Sequence, residues 1–389
     1  MFGPEELKET AAKPHRKVSG VIALQLLPSG NENILMQILL IIITMSLLIL
    51  YGGRLQLQIS LMQLSSALNK LKHIRDASKR EVVNHLKDQG QEGINVDEAV
   101  DKFIEYFVVY PVDIEPTGLV SKIEFIFNQH DERLRYEVAQ LVKDKSDVNV
   151  SKLVNMVEVA TALNQYYKVV RHYYLLSKKT SSLLYVITLQ NQMPQILQEA
   201  SALLSALEAF KAGQPIGDSI GPIVVGRLMY NRERVKIEKD TVMSQVEYKG
   251  RQLYLLKAEG PGGNVGDMGN ATLKLVNMLP VRPSVVIMID AALKLEGEAS
   301  GSIAEGTGAV IGGLGTDRFK IEEICTKYKI PLYGIVVKES LIEAITVIRK
   351  EIFDAVEGVI KAIYRVVEQR TKEGDNVIII GVGNTIGVL

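Results

Sequence analysis

The feature that most constrains the fold is an alternation of apolar runs and amphipathic segments after residue 235. Four runs, RQLYLLKA, SVVIMID, LYGIVVK and DNVIIIGVG, are separated by segments with helical periodicity. Nearly continuous apolar runs are typical of strands covered on both faces, and strands that alternate with helices usually pair in parallel. A further strand-like run, TVMSQVEY, is joined to RQLYLLKA by Lys249-Gly250, which predicts a hairpin. We therefore expect residues 235–389 to form an α/β domain with a mainly parallel sheet.

The carboxyl ends of these four strands predict the position of a binding site, because ligands of open α/β sheets bind beyond that edge. Each end is followed by glycine, small polar or charged residues. The candidate ligand-binding residues are Gly260, Gly262, Gly263, Asn264, Gly266, Asp267, Asp290, Glu298, Lys338 and Asn384, with Asp218 as a lower-ranked candidate. The prediction requires that Asn264, Asp290, Glu339 and Asn384 lie on one rim of the domain.

The glycine-rich stretch AEGPGGNVGDMGN, residues 258–270, suggests a phosphorylated ligand. A flexible loop that leads into a helix brings unpaired N–H groups and the positive end of the helix dipole to an anion. The stretch lacks the Gly-Lys-Ser/Thr of a Walker loop, and Asp267 would repel a phosphate unless a cation intervened. Asp267, Asp290 and Glu298 are therefore candidate ligands for a bridging Mg²⁺. The alternative is a tight turn in which Asp267 caps the helix.

The longest connection between predicted strands, residues 297–315, contains seven glycines. Long loops in compact domains are commonly functional, and we expect this one to form a mobile lid over the site. Lys338 is a candidate phosphate partner, and the alternative is an ordinary solvated lysine. No His-x-x-x-His or Glu-x-x-His pair is present, and Cys325 lies in an amphipathic pattern that predicts a buried side chain. The sequence therefore assigns no catalytic residue.

An uncharged apolar run, ILMQILLIIITMSLLILY, occupies residues 34–51. Eighteen helical residues rise about 27 Å, close to the thickness of the bilayer hydrocarbon. We expect a single transmembrane helix over 34–53, preceded by a short N-terminal tail at 1–33. Basic residues after the run outnumber those before it, which favours a cell-membrane protein with its C-terminal bulk in the cytoplasm. The single cysteine agrees with a reducing compartment.

A juxtamembrane helix is predicted over 54–92. Its leucines recur with heptad spacing over about two heptads, and they are Leu57, Leu61, Leu64, Leu68 and Leu71. This seam has two interpretations: it mediates self-association into a homo-oligomer, or it packs against the middle of its own chain. Residues 93–234 then follow an almost wholly helical pattern and form a predicted helical domain.

The charge balance limits the class of partner. Lys plus Arg and Asp plus Glu number 45 each, whereas nucleic-acid-binding domains normally carry a basic excess or patch. We therefore expect no nucleic-acid partner.

The order of features resembles an archaeal family of membrane-anchored proteins known only as a domain of unknown function. The resemblance rests on PIGDSIGPIVVGRLM, EGPGGNVGDMGN and IDAALKLEGEASGSIAEGTGAVIGGLGTDRFKIEE, and it spans most of the chain. It implies an archaeal origin and plasma-membrane attachment, and it carries no activity across.

Two functions follow from these patterns. The first is a membrane-anchored protein whose cytoplasmic α/β domain binds a nucleotide or other phosphorylated ligand, with phosphate hydrolysis or transfer as an open question. The second is a non-enzymatic membrane scaffold or oligomerisation protein, in which the glycine loops are conformational.

Overall fold

A computed structural model describes residues 33–91, 93–108, 118–312 and 315–389, with only the backbone described at 33 and 48–51. The helices in this part of the chain are α1 Asn33–Gln89, α2 Val96–Phe103, α3 Leu119–Leu141, α4 Asp147–Thr180, α5 Leu183–Ala212, α6 Ile220–Leu228, α7 Met268–Met278, α8 Thr316–Tyr328, α9 Leu341–Ile345, α10 Lys350–Asp354 and α11 Val356–Arg370. The strands are β1 Val235–Glu238, β2 Thr241–Tyr248, β3 Arg251–Ala258, β4 Val285–Leu293, β5 Ile303–Thr307, β6 Leu332–Glu339 and β7 Asn376–Gly381.

The first half of α1 contains the predicted membrane segment. The chain divides into two units, 1–59 and 60–389. In the first unit, each apolar side chain of the run from Ile34 to Leu47 is about half exposed or more. Among the described helices, none is by itself long and apolar enough to cross a bilayer, although Ile34–Leu47 and Gly52–Gln89 meet that test as a pair bent by 42°. The predicted tail, through residue 32, lies outside the described residues.

The second half of α1 forms part of a helical layer. Leu64, Leu68 and Leu71 are at most 9 % exposed, and polar bonds connect the same helix to α2 and α5. Gln190 donates to Gln63 at 2.8 Å, and Lys79 pairs with Asp101 at 2.5 Å. These three leucines of the heptad seam therefore pack within their own chain, as the second interpretation of the seam proposed.

The C-terminal sheet is mixed, not mainly parallel as the sequence led us to expect. Its strand order is β1-β2-β3-β7-β4-β6-β5. The four central strands β3, β7, β4 and β6 are parallel, and they are the four apolar runs of the sequence. The error lies at the edges, because β1 and β2 add antiparallel on one side and β5 adds antiparallel on the other. The predicted hairpin at Lys249-Gly250 joins β2 to β3.

Helices cover both faces of the sheet. The residues of α7 and α8 form one core with Leu256, Ile378 and Met288, and those of α6 and α11 form the other core with Leu255 and Ile379. Helices α7 and α8, which follow β3 and β4, lie on one face, and α11, which follows β6, lies on the opposite face, so the chain reverses direction after β6 and returns to β7, between β3 and β4. Crevices form at such a reversal, beyond the carboxyl ends of the strands.

Helix α6 approaches the sheet more closely than a side chain would permit. A Cβ on Gly221 would overlap backbone atoms of Val382 and Ile289, at the ends of β7 and β4. Glycine is the residue that tolerates this approach. The contact places the short 3₁₀ turn Gly217–Ser219, which precedes α6, at the carboxyl edge of the sheet.

The predicted lid, residues 297–315, is partly an edge strand. Within it, β5 pairs with β6 from Ile303 opposite Val337 to Thr307 opposite Tyr333. The side chain of Val310 lies against Gly334 of β6, and the N–H of Gly312 donates to Asp290 at 3.1 Å. The described part of the segment is therefore fixed along the sheet and reaches the strand ends at Gly312.

We expect Leu71→Ala to lower the free energy of unfolding by about 2–5 kcal/mol, because it removes a fully buried side chain from the helical layer. Met62→Ala is the matched control, since Met62 is 74 % exposed and its truncation should cost less than about 0.5 kcal/mol. Chemical denaturation measures the difference, and light scattering of the same samples should show one unchanged oligomeric state. Dissociation by Leu71→Ala at unchanged stability would contradict an intramolecular role.

Candidate cleft at the carboxyl edge of the sheet

The glycine-rich loop after β3 is bound tightly to the rest of the chain. The Asn264 side chain accepts from Ser151 at 2.8 Å and from Arg135 at 3.0 Å, and both donors belong to the helical region. The carbonyl of Gly263 accepts from Asn155 and from Asn384, at 3.2 and 3.0 Å. Asn264 and Asn384, two of the predicted site residues, therefore make hydrogen bonds that hold this loop in its conformation.

Close packing explains most of the loop's glycines. A Cβ on Gly260 would overlap the carbonyl of Val388, and one on Gly262 would crowd the backbone of Val148 in α4. These positions face the protein's own chain. A Cβ on Gly266, which has a positive φ of 69°, would likewise overlap Thr241 and Met268, but this residue also lines both cavities.

Asp267 is the N-cap of α7. Its Oδ1 accepts from the backbone N–H of Asn270 at 2.9 Å, and its Oδ2 accepts from the Asn270 side chain at 2.7 Å. Capping by an aspartate satisfies an N–H group of the first turn that lacks a partner within the helix. The sequence left open whether Asp267 binds a cation or caps the helix, and in the structure it caps α7.

Glu298 and Lys338 form an ion pair with one another. Glu298 also accepts from the N–H of Leu295 at 2.7 Å, and the Lys338 ammonium holds the pKa of this carboxyl below its ordinary value. Neither side chain lines the cavities described next. Of the predicted Mg²⁺ ligands, Glu298 therefore lines neither cavity, whereas Asp290 lines the inner one.

Two adjoining cavities form a cleft beyond the carboxyl ends of β3, β7 and β4. The inner cavity, about 390 Å³, is lined by Asp218, Asp290, Ile311, Gly312, Gly315, Val382 and Gly383. The outer cavity, about 300 Å³, reaches the helical region and is lined by Glu124, Asp131, Arg135, Glu158, Lys239, Asp240 and Asp267, among others. Val265, Gly266, Thr316 and Asp317 line both cavities.

Two carboxyl groups, those of Asp218 and Asp290, line the inner cavity, and a third, that of Glu339, is buried near them without lining either cavity. Asp290 is 5 % exposed and accepts from the N–H groups of Ala291 and Gly312, at 2.8 and 3.1 Å. Asp218 accepts from the N–H of Asn384 at 2.7 Å. Glu339, at the end of β6, is 1 % exposed, and neither of its carboxyl oxygens has a hydrogen-bond partner among the described residues.

Burial changes the protonation of this group. Desolvation, together with repulsion from the neighbouring Asp218, raises the pKa of Asp290 to about 8, although the backbone N–H donors of Ala291 and Gly312 oppose the shift. Desolvation likewise raises the pKa of Glu339 to about 8, with added repulsion from Asp218, Glu343 and Asp290. Because desolvation and the charge of each neighbouring carboxyl both disfavour ionisation, these groups hold their protons more tightly than ordinary carboxyls do.

The outer cavity is also acidic. Burial raises the pKa of Asp317 to about 6, with repulsion from Asp267. Glu158 opens onto the cavity, yet the protein around it raises the pKa of its carboxyl to about 7, with repulsion from Asp131. The basic groups here already have partners: Arg135 pairs with Asp131 and Asp240, and Lys239 pairs with Asp131.

The described residues contain no group of three or more His, Cys, Asp and Glu side chains arranged to hold a metal ion. Of the three predicted Mg²⁺ ligands, Asp290 alone lies at the inner end of the cleft, because Asp267 caps a helix and Glu298 pairs with Lys338. The magnesium site formed by these three residues is therefore not present as an assembled site.

Two family models match the chain. One is described as the N-terminal domain of a protein of unknown function, DUF1512, and covers residues 38–213; the other is described as the C-terminal DUF1512 domain and covers residues 216–389. The chain belongs to the DUF1512 family. A comparison with curated proteins finds no match.

The family division assigns the two walls of the cleft to different halves of this DUF1512 chain. Asp131, Arg135 and Glu158 belong to the N-terminal match, whereas Asp218, Asp290 and Asp317 belong to the C-terminal match. Sequence reasoning missed the first three because helical periodicity does not reveal which helix faces a distant strand end. Asp317 could have been predicted as a site residue, since it directly follows a glycine-rich segment at the start of a predicted helix.

The acidic group predicts how the stability of this DUF1512 protein depends on pH. For Glu339, the folded pKa of about 8 exceeds the ordinary 4.5, so the folded state binds more protons between these values. Its contribution to stability is present below about pH 4.5 and is lost as the pH rises through 8, with a slope of at most about 1.4 kcal/mol per pH unit. Glu339→Gln should flatten this decline in denaturation curves measured from pH 5 to 9.

Glu298→Gln is the control for this measurement, because its carboxyl is ion-paired outside the cleft. It should leave the decline with pH unchanged. Identical slopes for wild type and Glu339→Gln would show that Glu339 does not carry the raised pKa.

Proposed function

We propose that this protein is a membrane-attached ligand-binding protein whose cleft at the carboxyl edge of the sheet holds a small charged ligand. The observation that carries the proposal is the convergence of separate chain segments on one cleft. Asp290 lies within the second half of β4, Gly383 follows β7, Gly266 follows β3, and Asp218 precedes α6. Sites in α/β proteins occur at this edge, where the chain direction reverses.

The charge of the cleft limits the classes of ligand that can bind there. The outer cavity is lined by six carboxyl side chains and two basic ones. Asp131 and Asp240 pair with the basic groups and Glu124 pairs with Lys320, so the remaining acidic side chains of the lining are Glu158, Asp267 and Asp317. An anion without a counter-ion would be repelled, whereas a cationic group would be attracted. A nucleotide or other phosphorylated ligand, as the sequence suggests, would therefore bind as a complex with a divalent cation. No catalytic step is included in the proposal.

Membrane attachment is supported by the exposure of the apolar run in α1. Soluble proteins rarely leave so many large apolar side chains open to water, and a bilayer is the surface that covers an uncharged run of this length. The basic residues that follow it favour a cytoplasmic location for the bulk of the chain. An archaeal cell membrane is the location implied by the sequence resemblance.

The alternative, a scaffold that assembles through the heptad seam, has weaker support. Leu64, Leu68 and Leu71 are buried within their own chain, so self-association would have to use another surface. The cleft, in contrast, is open and has charged groups on its walls.

Blocking the cleft tests ligand binding. Val265 lines both cavities and is 60 % exposed, so Val265→Trp should fill the cleft without disturbing the core. In thermal-shift assays of the full chain with nucleotides, with and without Mg²⁺, and with organic amines, we expect at least one ligand to stabilise the wild type by a few degrees. A ligand at 100 times its Kd contributes about 2.7 kcal/mol. Val265→Trp should abolish that shift.

Val235→Trp is the matched control, since Val235 is 51 % exposed on β1 and lines neither cavity. It should respond to ligands as the wild type does. The proposal would be wrong if no ligand in the panel stabilised the protein, or if Val265→Trp retained the full response.

Charged substitutions test membrane attachment. Each lysine at the centre of a membrane helix costs about 2.5–3.5 kcal/mol. The double variant Ile41→Lys, Ile42→Lys should therefore leave the membrane fraction in alkaline extraction and liposome flotation. The control is Met62→Lys, at an exposed position outside the apolar run, which should remain with the membrane. Recovery of both variants in the same fraction would count against insertion of residues 34–51.

A further inference from the structure

The turn between α4 and α5 carries exposed apolar side chains next to exposed basic ones. Residues 178–187 are called the hairpin tip below. Leu184 is 72 % exposed, and Tyr185 and Ile187 are each 41 % exposed. Lys178 and Lys179 are exposed on the α4 side of the turn, and neither side chain has an ion pair or hydrogen bond within the described part of the chain. Apolar side chains beside free basic groups are typical of segments that lie at a membrane surface.

Hydrogen bonds fix the direction of α5 relative to the second half of α1. Gln190 donates to Gln63 at 2.8 Å, and Lys211 donates to Glu81 at 2.7 Å. Because both pairs advance along the chain in the same direction, the two helices run parallel, and the N-terminal end of α5 lies beside the start of this half of α1. The hairpin tip is therefore at the end of the second unit where the chain enters it, at Ser60.

The apolar run of α1 is tethered to this same end. The run ends at residue 51, so residues 52–59 alone connect it to the second unit. A connection of this length spans at most about 30 Å, even when it is fully extended. If the run is inserted in a bilayer, the end of the second unit that carries the hairpin tip therefore stays close to the membrane surface.

The charge at this end of the unit has one sign. Lys plus Arg and Asp plus Glu number 45 each over the whole chain, yet residues 60–75 and 159–198 contain no acidic residue. Basic residues recur in both stretches, and they are Lys70, Lys72, Arg75, Lys168, Arg171, Lys178 and Lys179. The cytoplasmic leaflet of a membrane is negatively charged and attracts basic segments that lie next to it. Charge complementarity therefore favours anionic lipid headgroups as the partner of the hairpin tip.

Resting on the membrane attachment proposed above, we propose that the hairpin tip is a second membrane contact, which lies on the anionic headgroups of the bilayer that holds residues 34–51. Leu184 and Tyr185 enter the interface between headgroups and acyl chains, where tyrosine is favoured because its ring is apolar and its hydroxyl is polar. Lys178 and Lys179 bind the lipid phosphates. Lysines in a last helical turn also suit the helix dipole, but the dipole does not account for the exposure of Leu184.

Tryptophan fluorescence of the reconstituted full chain tests this contact. The chain contains no tryptophan, so a single introduced tryptophan reports on one position. In vesicles of phosphatidylcholine and phosphatidylglycerol whose acyl chains carry bromine near the headgroup, we expect the emission of Leu184→Trp to be shifted to the blue and quenched. Phe353→Trp is the matched control and should not be quenched. Phe353 is 51 % exposed, and Ile348, shortly before it, donates to Pro215 at the opposite end of α5.

The role of the lysines is tested in the Leu184→Trp background. Adding Lys178→Gln and Lys179→Gln should reduce the quenching, because each basic group next to an anionic surface contributes roughly fivefold to the association. Omission of phosphatidylglycerol should have the same effect. Lys143→Gln with Lys145→Gln is the control pair and should leave the quenching unchanged. These two lysines are exposed and precede α4, whose 34 residues separate them from the hairpin tip by about 50 Å.

Leu47→Trp, within the apolar run, separates this proposal from membrane attachment itself. Quenching of Leu47→Trp without quenching of Leu184→Trp would overturn the contact of the hairpin tip and leave the attachment intact. If neither tryptophan is quenched, both are wrong. A blue shift of Leu184→Trp that grows with protein concentration in detergent, without quenching by brominated lipid, would assign the hairpin tip to a second copy of the chain. Quenching that depends neither on the two lysines nor on phosphatidylglycerol would contradict the binding of lipid phosphates.

Discussion

The close approach of α6 to the sheet is the constraint on which the cleft depends. Gly221 lets the helix lie against the ends of β7 and β4, and the turn before the helix then carries Asp218 to the carboxyl edge. There Asp218 accepts from the N–H of Asn384, whose side chain in turn binds the glycine-rich loop at Gly263. A larger residue at position 221 would displace the turn and, through these bonds, the loop.

The glycines of the loop after β3 are compatible with two roles, dense packing and ligand binding. Glycine gives the backbone access to positive φ and to very short approaches, and both properties suit a ligand as well as they suit dense packing. In this protein Gly260, Gly262 and Gly266 all pack closely against the chain itself, and Gly266 also lines the cleft. For the ligand that we propose, the acidic residues would discriminate by charge more than the glycines would, because charge within a cleft acts over a longer range than a fitted turn.

The central strands of the sheet could be predicted from the sequence because the pattern that identifies each strand is local. The four central strands are continuous apolar runs, and their shared edge follows from parallel pairing. The edge strand β5 could not be predicted from its sequence, IAEGT. It is short and largely exposed, so its composition resembles that of a loop. The sequence also did not reveal that α3 and α4 line the outer cavity. The apolar stripe of a helix shows that it packs, but not which element it packs against.

The junction of the two family domains at the outer cavity has a consequence for how this protein can vary. Arg135 of the N-terminal domain bonds to Asp240 and Asn264 of the C-terminal domain. A substitution at Asp240 or Asn264 removes one of the bonds that Arg135 makes across this junction. An exchange of whole domains between relatives would therefore have to carry matched residues at these three positions.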